Sequence, residues 1–491
     1  MKSKFSKVLS ILLSVVLVIS SFYLLYQVIR LNVLPSKFLF PLTIGVVVLD
    51  AIFILLLIYF SKNVVSKIVC IVLTLFICVA SCMGGYYISK TQNVLSNITN
   101  VAKHAKNTVS VIVKESSSIK NKSQLNGVSV GSLRLNEQGS KKVLKELSSE
   151  GIVLNQTEYD SMTALLEAFY NGEVDSIIIN ESSRSQILDM ETYSNFDSNT
   201  RVVYQTSYKV KNNDSATSVS DITSKPFNVL ISGSDTRGGF DENGRSDVIM
   251  IATVNPKTHT ILLTSVPRDF YVTTACDAGD GCMQGALDKI THTGIHGTNT
   301  TKRTVEQLLG IEINYTFKVG FDTVTELVDV LGGVDVYVEP GYATTTSEFS
   351  VHEGVNHLNA QQALAFARER YSYTEGDRQR TKNQQQVLMG IVKEATKPSV
   401  ITNYAAIMDT MANTFSTTMS NAEITDLIKY QLNNNPTWKM EQYMVDGTGD
   451  TLMCAELGDA ASVMVPDQST VKMAKDKINA VLAGKSSEDV K

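Results

Sequence analysis

Charge is scarce in this chain. Asp, Glu, Lys and Arg make up 19% of its 491 residues, against 43% hydrophobic ones. The scarcity is uneven. Residues 1–90 hold one acid, Asp50, and eight bases, which leaves 36 bases and 48 acids, a net charge of −12, for residues 91–491. Without a cationic surplus the chain lacks the footprint that a phosphate backbone requires, so nucleic acid is excluded as a partner. Low-complexity runs are absent and apolar content is high, which excludes a disordered chain. Six cysteines are too few for a disulfide scaffold at this length, and none lies in a CxxC or a Cys/His set with zinc spacing. Also missing are a Walker A sequence, a GxSxG elbow and an HExxH helix.

What is there begins with hydrophobic runs. Residues 8–28, 38–60 and 68–88 each reach the ~20 residues that cross a ~30 Å hydrocarbon core. Two further spans after the first, and no small-residue cleavage site, argue against a signal peptide. Lys2, Lys4 and Lys7 precede the first run, Arg30 and Lys37 flank the first link, and Lys62 and Lys67 flank the second. This bias puts the N-terminus inside. Three crossings then place residues 91–491 outside, as in a multi-pass protein of the cell membrane with its main body on the extracellular side. Asp50, within the second run, reads two ways: a functional intramembrane acid, or a carboxylate satisfied by a neighbouring helix. Cys70, Cys78 and Cys82 lie in or near the third run as small apolar residues. Cys276 and Cys282, six apart in a Gly/Asp loop, are expected to close a small disulfide, leaving Cys454 over.

At ~150 residues per domain the length allows about three units. Residues 91–115 read as a stalk. Residues 116–212 alternate period-3.6 segments with short β-branched runs, the pattern of a small α/β accessory domain with a parallel sheet. Its stretch LLEAFYNGEVDSIIIN resembles one lobe of an extracellular solute-binding protein; a spacer or assembly domain is the plainer reading. Residues 213–225, rich in Ser, Thr and Asp, form a linker. Residues 226–482 form a large α/β domain, a central sheet with helices on its faces, and 483–491 a tail. Helices are expected near 359–369, 379–397 and 400–416.

The charges of the large domain sit in four clusters beside apolar runs. Ser234-Asp235-Thr236-Arg237 follows NVLIS, Arg245-Ser246-Asp247 precedes VIMIA, and Pro267-Arg268-Asp269 follows ILLTSV. The fourth, AFARERYSYTEGDRQRTKNQQQ, carries Arg368, Arg370, Asp377, Arg378, Arg380, Lys382 and Gln384. Sites in open α/β sheets form at the carboxyl ends of strands, which suits the first and third clusters. Arginine recognises phosphate by a planar, two-pronged contact, and several converging arginines suit a diphosphate. Asp235 and Asp247 offer hard oxygen ligands, and magnesium takes one or two carboxylates plus phosphate oxygens. A cation and guanidinium clamps are the minimum apparatus for moving a phosphoryl group. On a helix starting near Asp377, positions 377, 380 and 384 share a face. A surface ion pair is the ordinary reading of any one cluster; four of them, each beside a hydrophobic element, argue together for a site. His292 and His296 stand four apart with no third metal ligand and read as polar packing or rim residues.

At these clusters the chain resembles the LytR–CpsA–Psr family of envelope proteins. The matching stretches are NVLISGSDTR, GRSDVIMIATVNPKTHTILLTSVPRDFYV, DKITHTGIHG, TVEQLLGIEINYTFKVGFDTVTELVDVLGGVDVYV and LNAQQALAFARERYSYTEGDRQRTKNQQQVL, almost continuous over 226–397. Three spans and an extra outer domain resemble its capsule-associated branch. The resemblance implies a membrane-anchored phosphotransferase. It would move an anionic glycopolymer, of capsule or teichoic-acid type, from undecaprenyl diphosphate to a muramic acid hydroxyl of peptidoglycan. Asp235 and Asp247 would hold magnesium, with manganese as the alternative. Arg237, Arg268, Lys289, Arg368, Arg370, Arg380 and Gln384 would clamp the diphosphate. Asp235, Arg268, Asp269, Arg370 and Asp377 are the implied catalytic residues, with the general base open among the three aspartates. A polysaccharide-synthesis complex is an implied partner, and an apolar tunnel for the prenyl chain an implied feature. One departure stands out: many relatives carry an arginine where this chain has Asn383, with Lys382 as the candidate substitute. Two other functions compete. One is a hydrolase of lipid diphosphates using the same clamp. The other is a non-catalytic regulator sensing lipid-linked sugars through residues 116–212; direct DNA binding does not suit it, because only a short tail and one short loop would face the cytoplasm.

Overall fold

The computed structural model describes residues 2–60, 63–101, 104–211, 216–234, 242–277, 281–397, 406–407, 410 and 415–490. They fall into two compact units. One comprises Met1–Asn97, Ala395–Ala412 and Ser420–Pro436, the other Ile98–Glu394, Asn413–Met419 and Thr437–Lys491.

In the first unit the apolar runs form α1 (Lys2–Leu31), α2 (Ser36–Leu55) and α3 (Val64–Val101). Three stretches, Ser6–Leu31, Ser36–Tyr59 and Val64–Thr99, are long and apolar enough to cross a membrane. Gly85 lets α3 approach α1, since a Cβ there would collide with the Tyr23 ring. Asp50 is buried and accepts a hydrogen bond from Ser21 Oγ at 2.9 Å, so the neighbouring helix satisfies it.

The second unit opens with a correction. Residues 91–115 are no stalk: α3 runs to Val101 and is followed by strand β1 (His104–Lys114). With β2 (Ser129–Leu133), β3 (Asn155–Tyr159), β4 (Ser176–Asn180) and β5 (Thr200–Lys211) it builds a five-stranded sheet in the order β3-β2-β4-β1-β5. The sheet is mixed rather than parallel. β2 runs parallel to β3 and β4, whereas β1 is antiparallel to β4 and β5. Val109, Val111, Ile112 and Val113 of β1 are all buried, as an inner strand covered on both faces requires. Helix α4 (Glu137–Ser149) closes a core with Val109, Val130, Val143 and Ile178. Helix α5 (Met162–Asn171) closes the other face with Ile112, Leu165, Phe169 and Ile177, next to α6 (Arg184–Asp189) and α7 (Phe196–Asn199).

The large domain begins with β6 (Phe227–Ser234), β7 (Ser246–Asn255) and β8 (Thr260–Val266), then the short pair β9 (Tyr271–Thr273) and β10 (Leu287–Lys289). Next come α8 (Thr298–Leu309), β11 (Tyr315–Gly320), α9 (Phe321–Leu331) and β12 (Val334–Val338). After the small strands β13 (Thr344–Thr345), β14 (Ser350–Val351) and β15 (Gly354–Leu358) follow α10 (Ala360–Arg368), α11 (Asp377–Ala395) and β16 (Phe415–Thr417). Helix α12 (Asn421–Asn434) belongs to the first unit; β17 (Lys439–Met444), β18 (Gly447–Cys454), β19 (Asp459–Pro466) and α13 (Gln468–Leu482) complete the chain. The helix expected at 400–416 falls mostly outside the described residues, and its last part is strand β16.

The central sheet has six strands in the order β16-β11-β6-β7-β8-β17. β6 lies antiparallel to β7 and parallel to β11; β8 lies antiparallel to β7 and parallel to β17. Ser234 faces Ser246 and Gly320, and Val266 faces Ile249. The carboxyl ends of β6, β8 and β11 therefore share one edge with the start of β7. One core packs Leu230, Ile251, Leu262, Phe270, Val305 and Ile478; another packs Val328, Val336, Phe366 and Val387. Cys276 and Cys282 are joined, and Cys454 is free. Residues expected as a free tail pack back: the buried Ser487 donates its N–H to Glu441 Oε2 at 2.8 Å.

Candidate active site

The shared strand edge gathers three of the four charged clusters through described residues. Arg268, two residues past β8, donates from Nη1 to Asp247 Oδ1 at 3.0 Å. Its Nε stands 3.8 Å from Asp269 Oδ2, and Lys289 Nζ lies 3.3 Å from Asp269 Oδ1. The β9–β10 hairpin makes this meeting possible. Lys289 pairs with Tyr271, Ile290 N bonds Phe270 O at 2.8 Å, and Thr291 N bonds Arg268 O at 3.0 Å. Thr291 Oγ1 is thereby placed 3.2 Å from Asp247 Oδ1. Beneath it Ser246 Oγ bonds Ser232 Oγ at 2.9 Å and Thr301 Oγ1 at 3.0 Å, a buried hydroxyl chain that fixes the start of β7. Gly294 has to be glycine for this approach, because a Cβ would sit 2.5 Å from Gly244 O.

The fourth cluster arrives on α11, which begins at Asp377. Asp377 pairs with Arg380, and Gln384 lies one turn further along. Gln385, on another face, donates to Tyr443 O at 2.8 Å and to Leu263 O at 3.3 Å, which pins the helix to β17 and β8. The charges feel one another. Burial works against the Arg268 charge, but Asp247, Asp269 and Asp377 outweigh it and hold its pKa above the usual arginine value. Burial lowers the pKa of Arg380, and Arg268 and Arg370 lower it further against the pull of Asp377 and Asp247. Arg370 is half-buried and lies against Tyr371, its guanidinium 4.6 Å from the ring centroid.

Beside this cluster opens a cavity of about 90 Å³. Ile231, Val248, Met250, Val319, Leu364 and Leu388 are among its lining residues. Ser234 and Gln384 also line it, and they carry its polar side chains. Among the described residues, four buried polar atoms here have no hydrogen-bond partner: Nε of Arg245, Arg268 and Arg380, and Oγ of Ser234. Each of these guanidinium groups is paired with an acid through other atoms, but a buried Nε without a partner is costly and suits an anionic acceptor.

Residues 192–480, well over half of the chain, match the LytR_cpsA_psr family. The chain belongs to that family. The match starts at residue 192, earlier than the boundary of 226 read from the sequence. The polyisoprenyl-teichoic acid–peptidoglycan teichoic acid transferase TagU of Bacillus cereus (strain AH820) is 33% identical over 207 residues, 42% of this chain and 65% of the relative. That of Bacillus subtilis (strain 168) is 35% identical over 196 residues, 40% of this chain and 60% of the relative. The chain thus spans just under two thirds of the length of these relatives. The crystal structure of B. subtilis TagU is 28% identical, covering 52% of this chain and 97% of that one, with a TM-score of 0.41.

For this LytR_cpsA_psr domain the expected residues divide as follows. Arg268, Asp269, Lys289 and Asp247 are joined by the distances above, Asp377 and Arg380 act on them electrostatically, and Arg370 acts on Arg380. Gln384 faces the cavity. Arg368 closes α10 with an exposed side chain. Asp235 and Arg237 lie outside the described residues. Lys382 does not stand in for the absent arginine. Its Nζ lies 5.4 Å over the Tyr342 ring, while the buried Asn383 donates to Phe366 O at 3.0 Å and accepts from Gln379 at 2.9 Å. Arg378 points elsewhere, to Asp446 at 2.6 Å.

Two residues were passed over in the sequence. Thr291 sits in ITHTGIHG, where the histidines drew attention. Arg245 was visible in its cluster but received no role. The histidines themselves are partners of acids: the buried His292 with Asp288 at 2.7 Å, the partly buried His296 with Glu456 at 2.9 Å. Burial beside Asp288 pushes the Cys454 thiol up to about 12, which makes it inert. Among the described residues no group of three or more His, Cys, Asp or Glu could hold a metal ion. Magnesium asks for less where a substrate supplies phosphate oxygens. Asp247 fits that lesser demand: Oδ1 takes both hydrogen bonds, and Oδ2 meets only Arg245 Nη2, at 3.8 Å, among the described residues.

Proposed function

We propose that this protein is a membrane-anchored phosphotransferase. It takes an anionic glycopolymer, of the teichoic-acid or capsule type, from a polyprenyl diphosphate and attaches it to a muramic acid hydroxyl of peptidoglycan. The observation that carries this reading is the meeting of the buried Arg268 and Arg380, whose Nε donors have no acceptor among the described residues, with an apolar cavity. A diphosphate on a prenyl chain has both halves of the complementary chemistry. The names of the TagU relatives point the same way, towards polyisoprenyl-linked teichoic acid and peptidoglycan.

In the proposed reaction the acceptor oxygen forms a bond to the sugar-linked phosphorus. The bond from that phosphorus to the lipid phosphate oxygen breaks, polyprenyl phosphate leaves, and the hydroxyl proton passes to a carboxylate. Arg268, Arg370 and Arg380, with Lys289, hold the diphosphate and neutralise charge as it shifts to the leaving group. Asp247 Oδ2, with Asp235, would hold magnesium, which adds positive charge at the phosphate oxygens when bound. Asp269, Asp377 and Asp235 remain the candidate bases; the first two are each engaged by a cation, Lys289 and Arg380. The body of the protein acts outside the membrane. In support, three stretches long and apolar enough to cross a membrane follow the basic Lys2 and Lys4.

The test is reconstitution of the full chain in lipid vesicles with a polyprenyl-diphosphate-linked glycopolymer, magnesium and peptidoglycan. Polymer should become covalently bound to peptidoglycan, with stoichiometric release of polyprenyl phosphate. Turnover indifferent to added peptidoglycan would replace the transferase by a lipid-diphosphate hydrolase.

A further inference from the structure

The small domain of residues 104–211 reaches into the site just described. Asp189, the last residue of α6, pairs with Nη1 of Arg245. The Asp189 side chain is 61% exposed, but that of Arg245 is only 11% exposed, and its Nε has no acceptor among the described residues. The other arm of the same guanidinium, Nη2, stands 3.8 Å from Asp247 Oδ2. Asp247 therefore lies between two arginines. Arg268 is bonded to one oxygen at 3.0 Å, and Arg245 is held off the other.

A second grip sits at the opposite end of the same short segment. Glu242 accepts from Thr108 Oγ1, lies 3.2 Å from Lys106 Nζ, and forms a strand bridge with Lys106 of β1. Further contacts dock the two domains elsewhere: Thr163 N bonds Leu457 O at 3.2 Å, and Gly458 packs so tightly on Ser161 that a Cβ would overlap it. The accessory domain thus holds residues 242–247 at both ends.

An exposed ion pair is usually worth little. This one differs because the cation is buried. Without Asp189, Arg245 keeps a desolvated charge whose other acid among the described residues is Asp247, and closing the 3.8 Å gap is its way to compensate. That closure would occupy the carboxylate oxygen that the reaction needs open. We propose that Asp189 is a positioning residue for the transfer reaction, acting through Arg245 on Asp247. The accessory domain is on this view a working part of the active site rather than a spacer. The inference rests on the transferase reading above.

The experiment compares the full chain in vesicles with its Asp189→Asn, Asp189→Glu and Arg268→Ala variants, measuring kcat and KM for the lipid-linked donor and the melting temperature. Asp189→Asn should lower kcat about tenfold, leave KM within about twofold and keep the melting temperature, as a residue acting through a neighbour does. Asp189→Glu should restore most of the rate. An inactive Arg268→Ala beside a fully active Asp189→Asn would overturn this inference and leave the transferase reading standing. A fully active Arg268→Ala would overturn the transferase reading first. Loss of rate in step with a lowered melting temperature, not rescued by Asp189→Glu, would reduce Asp189 to a structural role.

Discussion

Arg268 and Asp247 close the mouth of the central sheet: the guanidinium leaving β8 bonds the carboxylate at the start of β7 at 3.0 Å. Both side chains are largely buried, and Arg268 keeps its Nε without an acceptor among the described residues. Such a donor serves a substrate better than it serves the fold. Arg268→Ala should therefore cut polymer transfer by about 10²–10³-fold, the usual effect of removing one charge-stabilising donor. Arg268→Lys should recover only part, because an ammonium cannot make the planar paired contact. Initial rates in reconstituted vesicles decide this, with circular dichroism to verify folding; wild-type rates in both variants would remove Arg268 from the site.

Asp247 is held at one oxygen by Arg268 and Thr291, which among the described residues leaves the other open to the proposed cation. Chelation should stop transfer, and added magnesium should restore it. Asp247→Asn should raise the magnesium concentration needed for half-maximal rate and weaken manganese binding seen by electron paramagnetic resonance. Thr291→Val removes a hydrogen bond worth about 1 kcal/mol and should move the same two readouts by a smaller step. Unchanged manganese binding in Asp247→Asn would take the metal away from this residue.

The cavity makes a separate demand. Leu388 and Leu364 reach it from α11 and α10, opposite Val248 and Met250 of β7. An indole inserted by Leu388→Trp would fill space that a prenyl chain requires. The variant should lose activity on long-chain donors while retaining it on donors with a short prenyl chain, read as a change in the ratio of their kcat/KM values. An equal loss on both would mean that the cavity is ordinary core packing.

Much of this site was legible because its parts are local. Charges placed directly after β-branched runs mark strand ends, and the 3.6-residue period puts Asp377, Arg380 and Gln384 on one helix face. What stayed hidden depends on partners far apart in the chain. The β-branched run of β1 looked like part of a tether, since nothing local announces that His104 pairs with Lys211. Asp189 looked like one acid among many until the fold set it against Arg245, 56 residues away. Lys382 and Asn383 are neighbours in sequence, yet the helix turns one towards Tyr342 and the other into the core, so neither inherits the place of the absent arginine.

Glu441 allows a test of stability apart from catalysis. It lies buried on β17, where Lys439 Nζ stands 2.8 Å from Oε1, Ser486 Oγ donates to Oε1 at 2.8 Å, and Ser487 N donates to Oε2 at 2.8 Å. Burial alone would raise its pKa, but Lys439, Ser487 and Ser486 reverse that and lower it from 4.5 to about 2. A depressed carboxylate pKa stabilises the fold above the unfolded value and loses that contribution as pH falls from about 4.5 towards about 2. The shift corresponds to about 3 kcal/mol at neutral pH, shared with Lys439 and the C-terminal residues it anchors. Glu441→Gln should therefore be clearly destabilised at pH 7, and the gap to wild type should shrink by about half at pH 3. Trp438 is the single tryptophan, three residues away and edge-on to His259, so its fluorescence during urea unfolding reports on this strand. A gap of equal size at both pH values would show that the carboxylate charge contributes nothing and that Glu441 acts only through its packing.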